Sequence, residues 1–271
     1  MKIIQVSDIH LGQQGEVRFG ANLHQRLARC VEHINGHHAD AALCVFTGDL
    51  TEAGEASSYA DLKAALKELS VPYRLLAGNH DRRANLVAAF PDSVDDNGFV
   101  QSVFDTAEGS LLFLDTLAEG RIAGELCERR IAWLDARLSE AAGRSGYIFM
   151  HHPPVELGLA ELDQLGLEEP ERFLDLLKRH GNVRHIFFGH VHRDVGGTVA
   201  GIPFSAQRGL HARFPLDFDG PVTVVEQAPP SYAVMRIDRA GERVIVHTCD
   251  FLEQWPIYST QTGELVAPGG A

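Results

Sequence analysis

Five short polar clusters hold the residues that can do chemistry in this chain. They are Asp8-Ile9-His10, Gly48-Asp49, Gly78-Asn79-His80-Asp81, His151-His152-Pro153-Pro154 and Gly189-His190-Val191-His192. Each contains a hard oxygen or imidazole donor of the kind that binds divalent transition ions. Three contain a glycine, which lets the backbone turn sharply beside a site. Taken singly, each has an ordinary explanation as a strand end, a turn or a solvated loop. Five clusters of Asp, Asn and His, each following an apolar run, are not explained as five turns.

The donors sort into two sets. Asp8 and His10 are expected on one side of an extended segment, because side chains alternate with period two, and His190 and His192 likewise. Asp49 has two oxygens and can bridge two cations, while Asn79 offers a neutral carbonyl oxygen. One ion can then take Asp8, His10, Asp49 and His192, and the other Asp49, Asn79, His151 and His190. Mixed nitrogen and oxygen sites suit Mn, Fe, Zn or Co, and the lack of thiolates argues against a purely structural zinc. Two carboxylates facing two divalent ions leave a positive surplus, which attracts a phosphate anion.

Apolar runs and helical periodicities position these clusters. Strands are expected at Ile3 to Val6, Leu43 to Thr47, Tyr73 to Ala77, Leu111 to Asp115, Tyr147 to Met150 and His185 to Phe188. Leu23, Leu27, Val31 and Ile34 mark a helix that Gly36 can end. Tyr59, Leu62, Leu66 and Leu69 mark another, with Ser57 or Ser58 as its cap. A third carries Ile131, Leu134 and Leu138, and a fourth runs from Pro170 to near Gly181. Consecutive strands follow at Val222 to Val225, Tyr232 to Ile237 and Arg243 to Thr248, the last two joined by a turn at Arg239-Ala240-Gly241. Strand-helix alternation followed by strands predicts α/β layers. The five clusters then fall at the C-terminal ends of strands, where such sheets place their sites. One domain is expected over 1–271, with a core to about 250 and a tail from about 251.

Composition narrows the class. The chain has 271 residues, 45% hydrophobic and 23% charged, an ordinary balance for a globular domain. No apolar run approaches the roughly 18 residues of a membrane span. The N-terminus reads straight into a strand, with no export signal. Cys30, Cys44, Cys127 and Cys249 are far apart and form no CxxC, so reduced thiols and a cytoplasmic location are expected. A net charge of −13 disfavours polymeric nucleic acid as a partner. Of the 14 histidines, His24, His33, His37, His38, His180 and His247 read as surface or core residues.

On the residues Asp8, His10, Gly48-Asp49, Gly78-Asn79-His80-Asp81, His151 and Gly189-His190-Val191-His192, the chain resembles the calcineurin-like metallophosphoesterases. The resemblance implies a four-layer α-β-β-α sandwich with two mixed β-sheets and a binuclear site at one edge. It implies the partition above, with Asp49 and a hydroxide bridging two divalent ions, the hydroxide attacking phosphorus in line. Within the family the His151-His152-Pro153-Pro154 motif is similar to the bacterial class III cyclic nucleotide phosphodiesterases and glycerophosphodiesterases. That implies a small phosphodiester substrate, with Phe19, His152 and His211 shaping the pocket. In the similar enzymes the residue matching His80 contacts the phosphoryl group or the leaving oxygen, which implies electrostatic stabilisation or general-acid work. Asp81 is read as the cap of a helix starting near Arg83, the alternative being that it orients His80. A homo-oligomer is expected from the resemblance and from a tail carrying Phe251, Trp255 and Tyr258. The competing readings are a phosphomonoesterase on the same metal core and a binding module of the same fold that has lost the chemistry.

Overall fold

The computed structural model of the protein describes residues 1–220, 223–252 and 258–265. In chain order its elements begin β1 (Lys2–Val6), α1 (Leu23–His38), β2 (Leu43–Thr47), α2 (Ala56–Leu66), β3 (Tyr73–Leu76) and α3 (Arg83–Ala89). There follow β4 (Ser102–Thr106), β5 (Gly109–Phe113), α4 (Glu128–Glu140), β6 (Gly146–Phe149), α5 (Ala160–Asp163) and α6 (Pro170–His180). The last are β7 (Val183–Phe188), β8 (Val195–Val199), β9 (Ile202–Ala206), β10 (Ser231–Ile237) and β11 (Val244–Asp250). One sheet has the order β11-β10-β1-β2-β3, and the other β4-β5-β6-β7-β9-β8. Both are mixed. Strands β1 to β3 are parallel with β10 antiparallel beside β1, and β5, β6, β7 and β9 are parallel with β4 and β8 antiparallel at the edges.

Three apolar layers hold the sheets and helices together. Ile4, Val6, Cys44 and Phe46 face α1 and α2 with Leu27, Ile34 and Leu62. Ile3, Leu43, Val45, Phe113, Phe149 and Phe187 fill the space between the sheets. Leu112, Leu114, Ile148, Ile186 and Phe188 face α4 and α6 with Leu134, Leu138 and Phe173. The expected α-β-β-α sandwich is therefore the observed one. Its central strands bury both faces, which is why they read as unbroken apolar runs. Gln5 is the polar exception in β1. Its amide bonds Thr47 Oγ1 at 3.1 Å and the carbonyl of Phe188 at 3.0 Å, tying the two sheets together below the site.

Several expectations are corrected. Helix α1 runs through Gly36 to His38. A glycine inside a helix costs only about 1 kcal/mol, and the buried face of Leu27, Val31 and Ile34 outweighs it. Ser57 and Ser58 lie inside α2, whose N-cap is Glu55, and the Ser58 hydroxyl donates to the Gly12 carbonyl instead. Asp81 does not cap α3, whose N-cap position is Arg82. Val222 lies outside the described residues. Thr223 to Val225 form no strand, and only Glu226 bridges, to Arg213. Helix α3 starts at Arg83 as expected, whereas strands β4, β8 and β9 and helix α5 were not foreseen. β8 carries Gly196 and Gly197, and β9 carries Pro203, residues depleted in strands. Phe251 is buried in the α1 layer rather than exposed. Tyr258 is exposed, and Trp255 lies outside the described residues.

Candidate metal centre

The chain leaves β1 and β2 side by side, and the two exits stay zipped. Asp8 N donates to Gly48 O at 3.2 Å, His10 N to Asp49 O at 2.9 Å, and Leu11 N to Leu50 O at 3.1 Å. The glycines of the clusters have steric work to do. A Cβ on Gly48, at φ +92°, would stand 2.5 Å from His151 Nδ1, and one on Gly78 would run into Asp49 Oδ1 and His151 Nε2. Asp81 fastens the exits from below. Its carboxylate accepts from the backbone of Leu50, Thr51 and Gly78 and from the hydroxyls of Thr51 and Tyr59.

The expected period-two geometry of Asp8 and His10 is corrected. Both lie in the left-handed region at φ 51°, as do Asp49 (48°), His190 (70°) and His192 (45°). Left-handed non-glycine residues cost energy, are enriched in Asn, Asp and His, and cluster at functional sites. Alternating left-handed residues, rather than a straight strand, turn these side chains toward one point.

The structure brings the seven proposed donors together. Asp8, His10, Asp49 and His192 each present an atom within 4.8 Å of the others. His10 Nε2 and His192 Nε2 are 3.2 Å apart, and His192 Nε2 is 3.4 Å from Asp8 Oδ1. Asp49 Oδ2 lies between the sets, 3.5 Å from His10 Nε2 and 3.3 Å from His151 Nε2. Asn79 Oδ1 stands 3.2 Å from His151 Nε2 and 2.9 Å from His190 Nδ1. Asp8 Oδ2 and His190 Nε2 are buried without a hydrogen-bond partner. Orphaned donors and facing imidazole nitrogens are what a cation would satisfy, so the residues present fit divalent ions.

Outer contacts fix which nitrogen faces inward. His151 Nδ1 donates to Thr47 O and His192 Nδ1 to Ala212 O, both at 2.8 Å, while His10 Nδ1 meets Glu52 Oε2 at 3.0 Å. Each leaves Nε2 to the centre. Burial holds His10 well below the usual imidazole value, and burial together with His151 lowers His190 to about 3. These rings are neutral, as ligation requires. Burial would lower His151 too, but the Asp49 carboxylate beside it wins and raises it to about 9. Burial opposes ionisation of Asp49, yet His151 and His10 hold it well below the carboxylate range. Burial raises Asp8, against the pull of His192 and His151.

A cleft of about 320 Å³ opens over the donors. His80, Phe19 and His211 line it. His80 Nδ1 donates to Glu52 O at 2.8 Å. Half-exposed Phe19 sits 5.4 Å ring to ring from His211, which stacks on His10 at 4.5 Å and has no partner for either nitrogen. His152 is a correction. It is fully buried outside the cleft lining, with Nδ1 at 2.7 Å from Thr116 Oγ1 and Nε2 donating to Ile122 O at 2.9 Å. With both nitrogens engaged it braces the 116–122 loop and has none left for a substrate. Sequence reading missed Glu52 and Arg18. Glu52 orients His10 and His80, and Arg18 pairs with Glu52 at 2.7 Å. The available signal was a carboxylate three residues after Asp49.

A four-layer sandwich with an Asp, Asn and His cluster at its strand ends defines a metallophosphoesterase-like protein. Residues 1–194 match the calcineurin-like phosphoesterase family, and the chain belongs to it. It is 36% identical over 265 residues to a probable cyclic nucleotide phosphodiesterase of Rhodopseudomonas palustris, covering 96% of each chain. It is 31% identical over 197 residues to a glycerophosphodiester phosphodiesterase of Enterobacter lignolyticus, covering 71% of each. Among solved structures, a dimetal phosphatase from Danio rerio superposes with a TM-score of 0.66 at 16% identity, over 86% of this chain and 91% of that one. At that identity the likeness concerns the fold alone.

Proposed function

We propose that this protein is a metal-dependent phosphodiesterase acting on small phosphodiesters such as cyclic nucleotides or glycerophosphodiesters. The observation that carries this is the placement of Asp49 Oδ2 between His10 and His151, one oxygen shared by two donor sets. Asp8, His10, Asp49 and His192 would hold one divalent ion, and Asp49, Asn79, His151 and His190 the other, of Mn, Fe, Zn or Co. Bound there, such ions polarise phosphoryl oxygens and lower the pKa of water. The chain's own residues do the rest. His80 lines the cleft beside this centre, where it would reach a phosphoryl or leaving oxygen, and His211 and Phe19 line the same cleft and would border the ester. Relatives named as phosphodiesterases, one of them similar over nearly the whole chain, favour a diester over a monoester.

The test is turnover after chelation and reloading with each metal. Bis-(p-nitrophenyl) phosphate should be cleaved only with metal, and faster than p-nitrophenyl phosphate. Undiminished cleavage by thoroughly stripped protein would sink the reading, and a preference for the monoester would favour phosphomonoesterase. We also propose a cytoplasmic homo-oligomer. The location rests on four free cysteines, and the association on the exposed Tyr258 and Leu265 of the tail. No helix among the described residues is long and apolar enough to cross a membrane.

A further inference from the structure

The cleft has a second surface that does no metal chemistry. Ile122, Leu162, Leu165, Phe214 and Val225 line it together with Phe19. They come from separate parts of the chain: the loop after β1, the loop before α4, the α5 region and the segment after β9. The Phe214 ring lies 5.3 Å from the His192 ring, and Phe19 lies 5.4 Å from His211, so apolar surface starts where the donor cluster stops. Outside that cluster, the polar lining residues are His80 and His211, which stack or pack against His10, and Arg18, Glu52 and Thr223, of which Arg18 and Glu52 are paired with each other at 2.7 Å.

This arrangement discriminates between the organic groups of a phosphoester. Away from His80 and His211, a polyol lying against the apolar wall meets few free hydrogen-bonding groups, and hydroxyls buried without partners lose their water at a cost. A planar apolar group meets aliphatic and aromatic surface, and burying it is favourable in proportion to its area. The cleft volume of about 320 Å³ is that of a small-molecule site rather than of a lone inorganic anion. Phe214, Thr223 and Val225 lie beyond residue 194, where the family match ends. We infer that the wall selects phosphoesters whose organic group is large, planar and apolar, a nucleoside or an aryl group, over methyl or glycerol esters. The inference rests on the reading of the donor cluster as the phosphoryl site.

Binding separates this selectivity from the proposed reaction. The Mn-loaded protein would be titrated calorimetrically with methylphosphonate, phenylphosphonate, glycerol 3-phosphate and thymidine 5′-phosphate. Phenylphosphonate should bind tighter than methylphosphonate, and thymidine 5′-phosphate tighter than glycerol 3-phosphate, each on the order of tenfold or more. A lead of thymidine over phenyl would identify a nucleoside as the group recognised, and parity would identify any planar apolar group. Leu165→Ala and Phe214→Ala should close the gap, with melting temperature and metal content measured alongside to exclude misfolding. Equal affinities in the unmodified protein, or no binding of phenylphosphonate at millimolar concentration, would overturn the inference. The expected binding order in a protein that cleaves no diester would instead overturn the proposed reaction and leave the selectivity standing.

Discussion

The main-chain oxygen of Glu52 accepts the Nδ1 proton of His80 at 2.8 Å, and this commits the ring's tautomer. Neutral His80 therefore presents a bare Nε2, and it has a proton to give there only as imidazolium. As a general acid its contribution depends on how poorly the alcohol leaves. His80→Ala should keep its metals and fold, and lose on the order of 10²–10⁴ in rate on an alkyl or ribose diester. The loss on a p-nitrophenyl diester should be smaller. Comparable losses on both substrates would assign the ring to charge stabilisation of the phosphoryl group. Loss of a metal would make it a ligand.

Asp49→Ala should abolish turnover and lower the metal content measured by mass spectrometry. Its Oδ2 lies 3.5 Å from His10 Nε2 and 3.3 Å from His151 Nε2. Two tightly held ions in the variant would remove Asp49 from the bridge.

Glu52 should act through His10. Its carboxylate is 3.0 Å from His10 Nδ1, and such outer partners of metal-ligating histidines are worth roughly 10- to 100-fold in metal affinity. Glu52→Ala should weaken one ion by that factor and leave the His151 side near its original affinity. Glu52→Gln, whose amide oxygen can still accept, should recover part of the loss. Unchanged binding of both ions in Glu52→Ala would limit Glu52 to holding Arg18.

Acid should weaken the fold through His185, away from the metal centre. Its ring stacks on Phe187 at 4.2 Å, its Nε2 is 3.0 Å from Ser205 Oγ, and burial lowers its pKa from 6.5 to about 4. The unfolded chain takes up this proton first. Stability is therefore unaffected above about pH 6.5, falls as pH drops from there to about 4, and changes no further below. The full effect is about 3 kcal/mol. Denaturant titrations of metal-free protein at pH 7 and pH 4 should show His185→Gln losing correspondingly less stability on acidification. Parallel losses in both proteins would contradict the assignment.

Most of the site was legible because its donors are chemically conspicuous and follow apolar strands. Asp8, His10, Asp49, Asn79, His151, His190 and His192 could be picked out without knowing how the backbone turns. The turn itself was not legible. Nothing in Asp8-Ile9-His10 states that both ends adopt left-handed backbone, and period-two reasoning assumed otherwise. His152 was misread for a related reason. Its partners, Thr116 and Ile122, are 36 and 30 positions away, and only folding brings them to both ring nitrogens. The central strands declared themselves as apolar runs, whereas β8 and β9 carry glycine and proline and are held by their neighbours in the sheet.

The donors come from both sheets. Asp8, His10, Asp49 and Asn79 follow strands of one, and His151, His190 and His192 follow strands of the other. Each ion the centre would hold therefore spans the seam between the sheets, and prising the layers apart must first release it. Unfolding then becomes harder as free metal rises, by RT ln(1 + [M]/Kd) for each site. The consequence reaches past turnover to the survival of the chain. In a cell starved of the right ion, the protein would open more often and be degraded sooner, so its abundance would follow the metal supply without any dedicated regulator.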